Sequence, residues 1–314
     1  GRPDGGFGRV VVVERQRDAI EILASVPGPR LRRGPAYGEV DADDTSTDGR
    51  GQHDWPTYRH DSLRSGSTAA DVAAELSERW STPAGDGLTA PVVADGCVVV
   101  ASADEHRVTA LDASDGTVRW TFTAAGSIDT PPTLYRSLVL FGSGSGHVYC
   151  LRASDGKLVW RFRAAPKQRR TIDCGNLESV WPVHGSVLVR NNVAYVSAGR
   201  STYLDGGLRL FALDPATGEV LHRKRVESKR PDNFSVPPGK AGTKKGWNVI
   251  DQNVVDWKTT SAPDRADSFS MQGGSINDVL VGDGTSIYIK HMRFGPELER
   301  KQKPGLHLFS TSRL

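Results

Sequence analysis

The chain has 314 residues, of which 37% are hydrophobic and 25% are charged, proportions typical of a globular protein with one large or two small domains. Its 40 lysines and arginines exceed its 37 aspartates and glutamates by only three, which argues against a strongly basic nucleic-acid-binding protein. No apolar run approaches the roughly 18 residues of a membrane-spanning helix, and Cys97, Cys150 and Cys174 lack the spacing of a zinc site or a dense disulfide framework.

The beginning of the chain does not follow the pattern of the rest. Its hydrophobic periodicity predicts a strand over 10–13 and a short amphipathic helix over about 15–25, so we interpret residues 1–37 as the tail of an upstream α/β domain. Residues 38–53 are rich in Asp, Gly, Ser and Thr and are predicted to be a linker. Because no signal-like apolar stretch precedes them, we expect the chain to be a fragment of a longer protein.

A phrase of nine residues recurs after forty residues in the middle of the chain. The stretch DASDGTVRW at 112–120 returns as RASDGKLVW at 152–160, and Trp80, Trp120 and Trp160 stand at the same interval. Each repeat contains short apolar-alternating segments separated by Gly, Asp and Ser, which indicate antiparallel strands and hairpins. Four short strands in about forty residues, repeated, predict the blades of a β-propeller.

We therefore predict an all-β fold, an incomplete β-propeller of about four four-stranded blades preceded by a short α/β tail. One such sheet cannot bury its apolar side chains alone, so neighbouring blades must cover its faces. The predicted propeller covers residues 54–314, with blades at about 80–120, 121–160, 181–222 and 275–314 and insertions at 165–180 and 223–268.

The repeated phrase also resembles a family motif. Residues 110–120, ALDASDGTVRW, and 212–222, ALDPATGEVLH, resemble the tryptophan-docking motif Ala-x-Asp-x-x-Thr-Gly-x-x-x-Trp of the pyrroloquinoline-quinone (PQQ)-type β-propellers. The stretch DWPTYRHDSLRSG at 54–66 is similar to a segment that precedes the first blade in bacterial members. This family includes quinoprotein alcohol dehydrogenases and the outer-membrane assembly lipoprotein BamB.

The resemblance implies that the tryptophan of one blade docks on the next blade. It also implies a ring of seven or eight blades, so the rest of the parent chain is needed to close the propeller. The copy at 150–160 departs from the motif at Cys150 and Arg152, and the third copy departs at His222, so we expect looser docking there. The predicted docking residues are Trp80, Ala110, Asp112, Gly116, Trp120, Gly156, Trp160, Ala212, Asp214, Thr217 and Gly218.

Two insertions carry the residues from which a site can be predicted. The region 165–186 lies where loops would line the central channel of a propeller, but it has no recognised metal-ligand or nucleophile spacing, which favours a structural role. The insertion 223–268 combines basic residues with Trp247 and Trp257 and is either a solvated loop or a loop that binds a partner. The candidate site residues are Arg170, Asp173, Glu178 and His184.

Two functions remain open. In the first, the propeller is a non-catalytic scaffold or binding module of a larger bacterial protein and recognises a protein or polymer partner, with no specific nucleic acid, through its loops. In the second, it is part of a PQQ-dependent dehydrogenase of alcohols or sugars, with PQQ and calcium as cofactors implied by the resemblance. Such dehydrogenases usually carry adjacent cysteines, which this sequence lacks, so the first is favoured. The resemblance implies the periplasm or cell envelope.

Overall fold

The structure of the chain is a computed structural model. It describes residues 29–39, 51, 54–173, 175–228, 277–290 and 292–301. Within these ranges every helix-or-strand element is a β-strand, and the 18 strands form four blade sheets and one separate hairpin, all antiparallel. The predicted all-β class and incomplete propeller are thereby confirmed. The strand predicted at 10–13, the helix predicted at about 15–25 and most of the insertion 223–268 lie outside the described residues.

Blades 1 and 2 each run from an inner to an outer strand through consecutive hairpins. The first strands of neighbouring blades contact one another, so they are the innermost strands around the propeller axis. Blade 1 contains β2 (Val92–Ala94), β3 (Cys97–Ser102), β4 (Arg107–Asp112) and β5 (Val118–Thr123). Blade 2 contains β6 (Thr133–Tyr135), β7 (Leu138–Gly142), β8 (His147–Arg152) and β9 (Leu158–Arg163).

A separate hairpin and two further blades follow. The hairpin consists of β10 (Arg170–Asp173) and β11 (Asn176–Ser179). Blade 3 contains β12 (Leu188–Arg190), β13 (Val193–Ala198), β14 (Leu208–Leu213) and β15 (Val220–Val226). The described part of blade 4 contains β16 (Val281–Gly282), β17 (Ile287–Ile289) and β18 (Met292–Phe294).

A strand from the beginning of the chain lies at the outer edge of blade 2. This strand, β1 (Leu31–Arg33), pairs antiparallel with β9, with Arg32 opposite Arg161 and Arg33 opposite Trp160. Blade 2 therefore has five strands, and its outer edge is covered by residues that precede the propeller repeats. The assignment of residues 1–37 to an upstream α/β domain stays a prediction.

Apolar cores lie between successive blades. Between blades 1 and 2, Phe141 stacks on Tyr149 with ring centroids 5.1 Å apart. Between blades 2 and 3, the edge of Phe162 meets Phe211 at 5.1 Å, and a third cluster joins blades 3 and 4. Because each buried large side chain contributes about 1.5–3 kcal/mol, these cores supply the contact that a single blade lacks.

The repeated tryptophans contact the glycine turns of the following repeat. The Trp120 indole N–H donates to Ala153 O at 2.7 Å, and a Cβ on Gly156 would lie 2.6 Å from its ring. The Trp160 indole N–H donates to Pro215 O at 2.9 Å and lies against Gly218 in the same way. A Cβ at these glycines would collide with the ring, so the sequence needs glycine there for close approach. These contacts are the basis for predicting that the tryptophans hold adjacent blades together.

At Arg152 the sequence departs from the family motif, and the turn that follows this residue is stabilised differently from the turn in blade 1. In blade 1, Asp112 Oδ1 accepts the backbone N–H of Ser114 at 2.8 Å. In blade 2, Arg152 takes that place and forms ion pairs with Asp155 at 2.6 Å and with Glu39 at 2.7 Å. The second turn is therefore closed by an ion pair instead of a carboxylate cap, and it also contacts the segment after β1.

The segment 54–66 crosses the inner strands of three of the four described blades. Trp55 exchanges two backbone hydrogen bonds with β2, at 2.7 and 2.9 Å. The carbonyl of Pro56 accepts an N–H from β6 at 2.7 Å, and the carbonyl of Ser62 accepts one from β16 at 2.8 Å. The segment thus connects the inner edges of blades that are far apart in sequence.

Arg64 extends these connections to blade 3. Its side chain is 3% exposed and donates to Thr57 Oγ1 at 2.7 Å, Tyr58 O at 2.9 Å and Leu280 O at 3.2 Å. Its Nη2 lies 3.5 Å from two carbonyl oxygens in the connection that leads into β12. Burial lowers the pKa of this guanidinium to about 10. Arg64 is therefore a buried donor that serves backbone carbonyls from several elements at once.

Candidate functional site

The connections at one end of the blades carry the candidate site. Because successive strands are antiparallel, the links between second and third strands emerge at the same end as the links from one blade to the next. We call this end the upper face. The glycine turns that contact the tryptophans join third and fourth strands and therefore lie at the opposite end. Among the described residues, the upper-face connections of blades 1 to 3 are residues 103–106, 124–132, 143–146, 164–187 and 199–207.

Three side chains from two of these connections meet at the upper face. His184 Nδ1–H donates to Asp129 Oδ2 at 2.8 Å, and His184 Nε2 lies 3.8 Å from Glu178 Oε2. The side chain of Glu178 is 9% exposed, whereas those of His184 and Asp129 are about one-third exposed, at 33% and 37%. The imidazole thus lies between an accessible and a buried carboxylate.

The charge of Glu178 is balanced by Arg200, which follows β13. Arg200 Nη2 donates to Glu178 Oε2 at 2.7 Å and to Asp173 Oδ2 at 3.1 Å, while its Nη1 donates to Ser179 O at 3.1 Å. The hydroxyl of Ser127 donates to Glu178 Oε1 at 3.2 Å. A buried carboxylate needs such partners, because an uncompensated one would cost several kcal/mol. We call Ser127, Asp129, Asp173, Glu178, His184 and Arg200 the upper-face network.

A glycine makes room for this network. A Cβ at Gly144 would lie 2.6 Å from Ser127 Oγ and 3.0 Å from Glu178 Oε1. Gly144 belongs to the stretch GSGSGH at 142–147, which links β7 to β8. The absence of a side chain at Gly144 therefore allows the connection between β7 and β8 to lie close to the buried carboxylate of Glu178.

Three of the four predicted site residues come together in the network. Asp173, Glu178 and His184 are joined through Arg200 and Asp129. Arg170 is exposed at the start of β10, opposite Ser179, and is not part of this network. A functional role for any of these residues stays a prediction.

Sequence reasoning missed Ser127, Asp129 and Arg200. Asp129 stands forty residues after Thr89, so it is an acidic departure from the repeat and could have been noticed by aligning the two copies. Arg200 carries no such signal, because it lies in the third repeat and reaches Glu178 only through the packing of blade 3 beside the hairpin. The repeat interval in the sequence does not predict which side chains of separate blades contact one another.

The network does not fit the calcium ion that the family resemblance implies. Asp129, Glu178 and His184 offer three ligand atoms within 4.8 Å of one another. Calcium takes six to eight oxygen ligands, and an imidazole nitrogen is a poor one. Arg200 also lies 2.7 Å from Glu178 Oε2 and already supplies the positive charge there. The upper-face network is therefore not a calcium site of the kind that the family resemblance implies.

The Asp129–His184 pair predicts an acid-dependent loss of stability. The hydrogen bond from His184 holds the pKa of Asp129 below its usual 3.8, although burial opposes this effect. A carboxyl whose pKa is lower in the folded state stabilises the fold above its ordinary pKa, and this contribution is lost as the pH falls through the lowered value. Asp129→Asn should therefore lower the urea midpoint at pH 7, and the difference from wild type should shrink towards pH 3. Exposed Asp71→Asn serves as the control; an equal shift in both variants would contradict the assignment.

The hairpin next to the network exposes apolar side chains. Ile172 and Leu177 stand directly opposite each other on β10 and β11, and they are 75% and 60% exposed. Leu204, in the adjacent upper-face connection, is 50% exposed. Large exposed apolar side chains that cluster at a loop tip are typical of an interaction surface.

The base of the hairpin is fixed to blades 2 and 3. Ser179 N–H donates to Gly144 O at 2.8 Å, and Val180 N–H donates to Arg169 O at 2.9 Å. Arg169 forms an ion pair with Asp205 and lies 5.3 Å from the centre of the Trp181 ring. The apolar tip is therefore presented from a supported base.

Antiparallel four-stranded blades with adjoining inner strands define this molecule as an incomplete β-propeller. A family model described as outer membrane protein assembly factor BamB matches residues 64–204 and 125–254. The two matches together cover more than half of the chain, so the chain belongs to this PQQ-like β-propeller family. No curated protein matches it.

Two solved dehydrogenase structures share the fold at low sequence identity. The quinohemoprotein alcohol dehydrogenase from Comamonas testosteroni is 18% identical with a TM-score of 0.55, over 86% of this chain and 44% of that one. The quinohemoprotein alcohol dehydrogenase ADHIIG from Pseudomonas putida HK5 is 16% identical with a TM-score of 0.53, over 77% of this chain and 34% of that one. BamB from Moraxella catarrhalis is 19% identical with a TM-score of 0.34, over 73% and 50%.

The chain thus spans less than half the length of either dehydrogenase. Likeness at this identity concerns the fold alone. Among the described residues, none belongs to a helix that is long and apolar enough to cross a membrane.

Proposed function

We propose that the chain is a non-catalytic β-propeller binding module of a larger bacterial protein in the periplasm or cell envelope, and that it recognises a protein partner through its upper face. The observation that carries this proposal is the exposed cross-strand pair Ile172 and Leu177 on the hairpin β10–β11. The family description, an outer membrane protein assembly factor, supports a role in protein assembly.

The exposed apolar pair of the hairpin would gain stability from burial beneath a partner. A two-stranded hairpin is marginally stable in water by itself, and its apolar side chains gain about 1.5–3 kcal/mol each when fully buried. A partner that covers Ile172 and Leu177 would remove this exposed apolar surface from water. The basic residues Arg169 and Arg170 at the start of the hairpin would lie at the polar rim of such an interface.

A site-specific photocrosslinker tests the proposal in cells that express the parent protein. With the crosslinker at position 177, we expect a discrete adduct with one protein, whereas position 118 should give none. Val118 is a matched control because it is 51% exposed but lies on the outer strand of blade 1. Ile172→Asp should remove the adduct without changing the melting temperature. Equal adducts at both positions, or an adduct that survives Ile172→Asp, would exclude the hairpin as the recognition surface.

The alternative is a PQQ-dependent dehydrogenase. In that case the Asp129–His184 pair beside Glu178 would be the candidate general acid–base group of the upper face. In the structure this pair and Glu178 are closed by mutual contacts and by Arg200, which favours a structural role. Dye-linked oxidation of alcohols and sugars, with PQQ and calcium added to the parent protein, distinguishes the two functions. Turnover that Glu178→Gln abolishes would establish the dehydrogenase and displace the binding module.

A further inference from the structure

The outer edge of blade 2 carries a cluster of cations outside the upper-face network. Four arginines and one histidine line a polar cleft with a volume of about 40 Å³, which is room for a few water molecules or a small ion. We call it the arginine cleft. Its basic lining residues are Arg30, Arg32, His147, Arg161 and Arg163.

The pairing of β1 with β9 brings these residues together. Arg32 stands directly opposite Arg161, and the backbone N–H of Arg163 donates to Arg30 O at 2.7 Å, which places the other two arginines side by side. On the other side of β9, His147 of β8 stands opposite Arg163. Since residues two apart on a strand share a face, Arg161 and Arg163 direct their side chains to the same side of the sheet.

The cleft concentrates positive charge in a partly buried place. Arg163 is only 5% exposed, and Arg161 lies 6.0 Å from the centre of the Tyr149 ring. The Arg30 guanidinium lies instead over the rings of Phe162 and Phe211, on the opposite face of the sheet, at 5.7 and 5.4 Å. Burial, and then the nearby charges of Arg161, Arg163 and Arg32, lower the pKa of His147 to about 4, opposed by a hydrogen bond to the backbone of Ser145. Burial, assisted by these charges, therefore keeps the imidazole neutral at physiological pH.

Among the described residues, carboxylates balance other arginines of this chain but not the facing pair Arg32 and Arg161. Arg119 pairs with Asp112 at 2.7 Å and Arg152 pairs with Asp155 at 2.6 Å. In the described part of the chain, neither Arg32 nor Arg161 forms an ion pair with a carboxylate. Like charges directly opposite on adjacent strands destabilise a sheet. Within the described ranges, the facing pair Arg32 and Arg161 therefore costs stability, which an anion bound in the cleft would offset.

We propose that the arginine cleft binds a phosphate group, carried either by a small phosphorylated molecule or by a lipid headgroup. Guanidinium groups form paired, charge-assisted hydrogen bonds with phosphate oxygens, and several of them around one anion are the usual protein solution for this ligand. The neutral His147 ring, held by Ser145 at 3.1 Å, supplies one further hydrogen-bonding group at the wall of the cleft. This site lies at the outer edge of blade 2 and is independent of the proposed protein-binding hairpin.

Calorimetric titration of the chain with inorganic phosphate and pyrophosphate, at constant ionic strength maintained with sodium chloride, tests the site. We expect saturable binding of at least one of them, weakened at least tenfold by Arg161→Gln and by Arg32→Gln. Arg119→Gln is the matched control, because it removes the same charge from the corresponding outer strand of blade 1 and should leave the affinity unchanged. Equal weakening in all three variants, or no binding beyond that of chloride, would overturn the phosphate site for small ligands.

A second arm separates the two sources of phosphate. Flotation with vesicles of phosphatidylcholine alone, and with added phosphatidic acid, measures binding to headgroups. Capture by the acidic vesicles that Arg161→Gln abolishes and Arg119→Gln preserves supports a lipid headgroup, whereas binding of free phosphate alone supports a small ligand. Absence of binding in both arms refutes the proposal.

The stability of the ligand-free variants distinguishes a binding site from a structural cluster. Because Arg32 faces Arg161 across the strand pair, Arg32→Gln should melt at the same temperature as the wild type or higher when no phosphate is present. A lower melting temperature combined with unchanged phosphate affinity would show that the arginines serve the fold, and the proposal would fail.

Discussion

Trp160→Ala is expected to lower the free energy of unfolding of the chain by about 3–5 kcal/mol, the range for removing a large aromatic side chain from a core. Trp160 is fully buried in the core between blades 2 and 3. It also covers Gly218, and its indole N–H donates to Pro215 O at 2.9 Å. The substitution would open a cavity between two blades and leave that carbonyl with the weak thiol donor of Cys150, at 3.7 Å, in place of the indole. Urea unfolding followed by far-ultraviolet circular dichroism measures the change.

Two further variants make this prediction specific. Trp160→Phe keeps most of the ring but loses the indole N–H, so it should cost about 1–2 kcal/mol. Trp80→Ala removes the same motif residue at a half-buried position, where the indole N–H donates to Ala113 O at 3.1 Å, so it should cost less than Trp160→Ala. If Trp80→Ala lowered the free energy of unfolding more than Trp160→Ala, the energetic contribution of each tryptophan would not be set by how deeply its side chain is buried. The looser docking expected for the copy at 150–160 would then gain support.

Arg64→Ala is expected to destabilise the chain by about 3–5 kcal/mol. Removing the buried guanidinium leaves the buried oxygen atoms that accept its hydrogen bonds unsatisfied. The carbonyls of Tyr58 and Leu280 and the hydroxyl of Thr57 would lose their donor. Arg64→Lys should recover less than half of the loss, since an ammonium cannot reach acceptors spread around a planar guanidinium. Urea unfolding again provides the measurement.

Arg59 offers a matched control within the same segment. Arg59 and Arg64 both have a positive φ, 53° and 58°, so alanine has the same backbone effect at each position. Arg59 is exposed, and Arg59→Ala should change the stability by no more than about 0.5 kcal/mol. A similar loss in both variants would attribute the effect to the backbone of the segment and contradict the role assigned to the Arg64 side chain.

Much of the fold could be predicted from the repeat. The forty-residue interval between Trp120 and Trp160, with a glycine turn before each, predicted blades of antiparallel strands because hairpins are local structures. The strand at Leu31–Arg33 could not be predicted to join blade 2, because three residues carry no periodic signal and their partner lies about 130 residues further along the chain.

The candidate site was predicted less completely than the fold. Asp173, Glu178 and His184 lie close together in one insertion, so composition drew attention to them. Asp129 and Arg200 reach them from the connection before blade 2 and the loop after β13, and only the packing of adjacent blades brings them within hydrogen-bonding distance. The arginine cleft was missed for the same reason, since Arg32 and Arg161 become neighbours through strand pairing.

The sequence by itself determined the all-β class, the blade length and the family resemblance, because each depends on contacts within about forty residues and repeats along the chain. Only the tertiary structure decided which charged groups meet. Glu178 acquires Arg200, and Arg32 acquires Arg161 instead of a carboxylate, through contacts between elements remote in sequence. Strand pairing is fixed by backbone hydrogen bonds and buried apolar faces, which place charged side chains together whatever their signs.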